Sequence, residues 1–109
     1  MPSASDLRQR ITLLSTVRGR DALGGVLETP GNAVDLWAKV EPVGADERFE
    51  HARLAVRPTH RITIRWRAGV AHRDTVTFRD RPFDVLSAQD PDERRLWLVL
   101  LVAAREPGA

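Results

Sequence analysis

Thr59-His60-Arg61-Ile62-Thr63-Ile64-Arg65-Trp66-Arg67 alternates in chemistry. Ile62, Ile64 and Trp66 fall on one side; Arg61, Thr63, Arg65 and Arg67 fall on the other. Successive side chains of a strand point to opposite faces, so this stretch reads as a strand with one buried face and one wet, basic face. A helix would bring Ile62 and Trp66 together but carry Ile64 to its far side. The β-branched residues and the Trp agree with a strand. Leu54 and Val56 extend the apolar phase upstream, and Arg53 and Arg57 extend the basic one. Pro58 removes a ladder donor and predicts a bend, bulge or edge.

The rest of the chain reads as more strands. Residues 7–17 place Ile11, Leu13 and Val17 on one face and Arg8, Arg10, Thr12 and Thr16 on the other. Residues 33–43 do the same with Val34, Leu36, Ala38 and Val40 against Trp37, Lys39 and Glu41, and Pro42 ends the run. Residues 75–79 and 82–88 form a hairpin around Asp80-Arg81, a weaker turn signal than Asp-Gly. Residues 96–104 are apolar on both faces, which predicts a strand covered by the core on one side and by a helix or a neighbouring subunit on the other.

Two connections stand out. Residues 18–32 read as a long loop, with Gly24-Gly25 and Pro30-Gly31 as turn dipeptides and Val26 and Leu27 left between them with no core to join. A loop of this length in a small domain is usually functional or disordered. Residues 44–52 carry Asp46 and Glu47 first and Arg48 later, with Ala45, Phe49 and Ala52 at helical spacing. That order suits a helix dipole and predicts one short inserted helix. The expected fold is all-β: a small barrel or sandwich of about six antiparallel strands with that helix, since several short strands with regular turn signals favour such architectures. The 109 residues make a single domain with flexible tails at 1–6 and 106–109.

Composition narrows the function. Without cysteine there are no disulfides or thiolate metal sites. No signal-peptide pattern opens the chain, and the longest apolar run is about half the roughly 20 residues of a membrane span. The expectation is therefore a protein made in the cytoplasm with no membrane partner. Net charge is only +2, yet Lys39 is the sole lysine and the other basic residues are arginine, which makes planar, forked contacts to carboxylates and phosphates.

Catalytic signals are thin. His51, His60 and His72 lack a metal-ligand spacing; His60 shares the phase of Ile62 and reads as a satisfied, half-buried histidine. No serine or threonine sits in a nucleophile-elbow context. Asp90, Asp92 and Glu93 do not match a calcium loop and read as a solvated turn. No glycine-rich phosphate loop is present. The expectation is no enzyme, no cofactor and no metal. The stripe of Arg53, Arg57, Arg61, Arg65 and Arg67 allows a phosphate-tracking surface, but it lacks the aromatic platforms of single-strand binders. A small basic β-barrel that binds nucleic acid is thus the alternative reading, and a small-molecule barrel is a third.

Several motifs in order carry a resemblance. They are Leu7-Arg8-Gln9-Arg10-Ile11-Thr12-Leu13, Asp21-Ala22-Leu23-Gly24-Gly25-Val26, Leu36-Trp37-Ala38-Lys39-Val40-Glu41-Pro42, the stretch quoted first, Phe83-Asp84-Val85, and Asp90-Pro91-Asp92-Glu93-Arg94-Arg95. Over about residues 7–106 the chain resembles the head–tail joining proteins of tailed phages, also called head-closure or stopper proteins, with relatives in prophages and gene transfer agents. The resemblance implies a small non-catalytic β-barrel that assembles as a homo-oligomeric ring, a hexamer or dodecamer, at the neck of a virion or phage-like particle. Such a ring contacts the portal and adaptor on the head side and the tail terminator or tail tube on the other, with DNA passing through its channel. It seals the filled head and offers a surface for the tail. The tail terminator is itself a neighbouring ring with which a short β-rich chain is easily confused. On this reading Gly24, Gly25, Val26 and Leu27 are the candidate docking loop. Residues 44–58, with Glu47, Glu50, Arg53 and Arg57, and then Arg61, are the candidates for channel or subunit contacts.

Overall fold

A computed structural model describes residues 4–44 and 57–105. After a 3-10 turn at Ala4–Asp6, six strands follow: β1 Gln9–Arg20, β2 Val26–Pro42, β3 His60–Arg65, β4 Thr75–Phe78, β5 Arg81–Gln89 and β6 Trp97–Ala104. All neighbours are antiparallel, and the order β1-β2-β3-β6-β5-β4 closes on itself into a barrel. Closure removes most of the sheet edges that would otherwise recruit other chains.

The alternation expected of β3 sets its register. Ile62 stands between Val40 of β2 and Leu100 of β6, and Ile64 faces Leu98. Residues opposite one another in a ladder share a face, so these side chains meet inside. Ile11 and Leu13 of β1, Ala38, Val76, Phe83, Val85 and Val102 complete the buried core. Two irregularities bend the sheet enough to close it, one between Leu14 and Thr16 and one between Val85 and Ser87.

The structure corrects several expectations. Residues 18–32 are not a loop but the far half of a long hairpin: β1 continues to Arg20 and β2 begins at Val26. Gly24-Gly25 is indeed a turn, with Gly24 at φ 85°, and Asp21 Oδ1 accepts the N–H groups of Leu23 (2.9 Å) and Gly25 (2.7 Å). Pro30-Gly31, however, lies inside β2. Leu14 pairs with Ala33 and Thr16 with Pro30, so Gly31 and Asn32 together oppose Ser15. This is a β-bulge, one of the few sheet positions where a proline is tolerated. The turn chemistry was real at both dipeptides, but only one of them reverses the chain.

At the β4–β5 hairpin the turn residues are Arg79 and Asp80, one position earlier than the sequence implied, because Phe78 pairs with Arg81. Both have positive φ, 51° and 62°, the geometry of a two-residue primed turn that twists with its strands. The amino-terminal segment is also more structured than a tail. Arg8 Nε donates to the Ser5 carbonyl at 2.8 Å, and Leu7 is buried. The expected helix at 44–52 falls on residues outside the described ones, except for Gly44.

Candidate docking surfaces

The hairpin has two halves. Near the barrel, β1 pairs with β4 through Thr12, Leu13 and Leu14, and β2 pairs with β3 through Lys39 to Pro42. Beyond those rungs, Thr16 to Arg20 and Val26 to Pro30 pair, among the described residues, only with each other. They form a two-stranded ribbon that rises from the end of the barrel carrying the 66–74 and 90–96 connections. It contributes to a longest dimension of 47 Å against 29 and 28 Å across. Val17 and Leu27 keep the inward phase of Ile11 and Leu13, yet there is no barrel beneath them and both stay about half exposed. Leu23 at the tip is 96% exposed and Val26 is 74% exposed.

The ribbon is anchored at its root. Asp74, only 3% exposed, accepts the Thr16 N–H at 3.1 Å through Oδ1 and the Ala71 N–H at 2.9 Å through Oδ2. Thr16 Oγ1 donates to the Arg73 carbonyl at 2.8 Å. A buried carboxylate serving two backbone donors ties the 66–74 connection to the base of the ribbon and satisfies groups that are costly to leave unpaired. Beside it, Thr16, Gly69, Ala71, His72, Arg73 and Asp74 line an open cleft of about 380 Å³. The close approach of Gly31 to Ser15 and Val17 completes the anchor: a Cβ at Gly31 would lie 2.8 Å from Val17 Cγ2 and 3.0 Å from the Ser15 carbonyl oxygen.

The proposed docking residues are thus divided. Gly24 and Gly25 belong to the turn, Val26 and Leu27 to the first rungs of β2. All four sit at the outer end of the ribbon. Glu47, Glu50 and Arg53 lie outside the described residues. Arg57 is exposed just before β3, and Arg61 is half-buried on β3 opposite Glu41 and Leu101.

The outer face of β3 is less wet than its alternation implied. Thr63 is 4% exposed, flanked by Lys39 of β2 and Val99 of β6. Lys39 pairs with Glu41 at 3.8 Å. The basic residues here are interleaved with aromatic ones. Arg65 lies 6.0 Å from the Trp97 ring, Arg10 4.8 Å from Trp37 and Arg95 5.3 Å from Trp66. These pairs are held by the ring quadrupole; Arg65 alone among them belongs to the arginine stripe, and sequence phase did not reveal them. Arg10, Trp37 and Arg65 also line a cleft of about 220 Å³ with Leu7, Asp35, Leu36 and Ile64.

His60 is half-buried as its phase implied. Its Nδ1 lies 2.9 Å from Thr59 Oγ1, and its ring meets Phe83 edge-on at 5.0 Å. Outward-facing Trp97, Val99 and Leu101 of β6 are half-buried, so the second apolar face of that strand is partly open among the described residues.

The structure of protein SF1141 from Shigella flexneri 2a is similar with a TM-score of 0.74 at 26% identity, over 97% of this chain and 99% of that one. A chain in the virion of a native gene transfer agent particle shares the fold, with a TM-score of 0.60 at 18% identity over 94% of each chain. No curated protein sequence matches this chain. The family model described as phage head completion protein matches residues 2–105. The chain therefore belongs to the phage head completion protein family, with a structural part in the assembly of a phage-type head.

Proposed function

We propose that this chain is a head-closure, or stopper, protein: copies form a ring between the portal–adaptor and the tail, seal the DNA-filled head and present the surface on which the tail docks. The observation that carries this reading is family membership over almost the whole chain, joined to a ribbon that leaves the barrel with exposed apolar residues at its end. The gene transfer agent chain with the same fold stands in a virion, which supports a place in the particle for this one. Gly24, Gly25, Val26 and Leu27 are the docking element. Arg57 and Arg61, with the 44–58 connection, face the channel or the next subunit, where DNA passes.

A barrel suits this work physically. Its closed core holds shape without help, and the surface elements that meet other proteins can vary around it. Electron microscopy of particles from cells lacking this one gene tests the proposal. Filled or emptied heads beside free, complete tails are expected, and leaked genomes behind a normal portal would single out the stopper position. Normal tailed particles would overturn it.

A further inference from the structure

We infer that the ribbon joins copies of this chain edge to edge, with β1 of one copy adding to β2 of the next. The inference rests on the ring reading above and names the contact that builds the ring.

The backbone geometry supplies the first argument. The Thr16 N–H points away from β2, toward Asp74. In an antiparallel ladder, opposing residues either exchange hydrogen bonds or both turn outward. Pro30, opposite Thr16, therefore stands where its missing N–H costs no rung. By the same alternation, Val26 and Glu28 present N–H and C=O groups to the outer edge of β2, and Arg18 and Arg20 do so at the outer edge of β1. Past the bulge, the Val40 N–H turns to the β1 side, where it is taken by Gln9 Oε1 at 2.7 Å. Ala33 and Asp35 then also face outward, short of the first β3 rung at Lys39. One ribbon thus offers two edges, and among the described residues no strand pairs with either. Such edges are templates for another strand.

Charge selects the partner. From Gln9 to Arg20, β1 contains Arg10, Arg18 and Arg20 and no acid. From Val26 to Ala38, β2 contains Glu28 and Asp35 and no base. Pairing β1 with β1 would set arginines against arginines, and pairing β2 with β2 would set carboxylates against carboxylates. Pairing β1 with a neighbour's β2 joins opposite signs. That contact is heterologous, with one patch meeting a different patch, and a heterologous contact builds a ring when its rotation closes. Copies related by rotation about an axis along the strands keep their strand direction. A neighbour's β1 then runs antiparallel to β2, as within each chain.

Sedimentation velocity on the purified full chain, up to roughly millimolar concentration, tests this. The wild type is expected to associate with rising concentration. Arg18→Glu with Arg20→Glu places acid against acid and is expected to weaken association roughly tenfold or more. Adding Glu28→Arg and Asp35→Arg in the same chain restores opposite signs and is expected to recover it. Glu28→Pro removes one outward N–H without touching the β1–β2 ladder, so it should lower association while the amide spectrum keeps the barrel pattern. A wild type that stays monomeric throughout, or a charge reversal that the second pair of substitutions does not rescue, would overturn the inference. If deletion of the gene still leaves heads and tails unjoined, the head-closure reading survives that result. Normal tailed particles would remove the reading itself.

Discussion

Strands β1 and β2 pass through two environments, and the contrast between them organises the protein. In the barrel half, Ile11, Leu13 and Ala38 are buried against β3, β5 and β6. In the ribbon half, the same two strands keep their pairing but bury little, and Val17 and Leu27 stay open. An isolated two-stranded hairpin is at best marginally stable in water. This one is held by its continuity with the barrel, by the Asp74 carboxylate at its root and by the bulge at Gly31. Stability and recognition have been placed in different stretches of the same strands.

That division can be broken from either side. The largest effect belongs to the core. Phe83→Ala removes the largest fully buried side chain among the described residues and is expected to cost about 3–5 kcal/mol in chemical denaturation. Replacing residues 18–29 with a short turn should instead leave the barrel's amide spectrum intact while abolishing the joining of heads to tails. Unfolding of that variant would show the two regions to be one cooperative unit.

The root is the next place to cut. Asp74→Ala strips the acceptor from the Thr16 and Ala71 N–H groups and is expected to lower stability by about 1–3 kcal/mol, with amide exchange rising first in the ribbon and the 66–74 connection. Gly31→Ala should act more locally. The added Cβ meets Val17 and the Ser15 backbone, and overpacking of this kind costs about 1–3 kcal/mol unless Val17 rotates away. Leu23→Ser, at a tip position that is 96% exposed, is expected to stay within about 0.5 kcal/mol of wild type yet reduce docking. A small effect of the opposite sign lies at the other end of the barrel. Asp80 has φ 62°, where glycine is at ease, so Asp80→Gly is expected to stabilise the hairpin by about 1 kcal/mol or less.

Much of the barrel was legible in the chain. The alternation of Ile62 and Ile64, and of Ile11 and Leu13, marked strands and their buried faces, because a two-residue period survives any arrangement of neighbours. The ribbon was not legible, for a physical reason. Its residues are not sorted by burial, so polarity carries no period there, and Pro30-Gly31 looks the same in a bulge as in a turn. Thr63 misled in the opposite sense: its phase was right, but neighbours on both sides cover it.

By itself, the sequence determined the all-β class, the inward-facing residues of the barrel parts of β1, β2 and β3, the half-buried place of His60 and the order of motifs that marks the head completion family. Those properties depend on local period and on residue identity. Only the tertiary structure decided that residues 18–32 extend two strands instead of looping, that Asp74 anchors them, that arginines stack on Trp37, Trp66 and Trp97, and that among the described residues no strand pairs with either ribbon edge. Each depends on which segments become neighbours, and that is settled when the barrel closes and not along the chain.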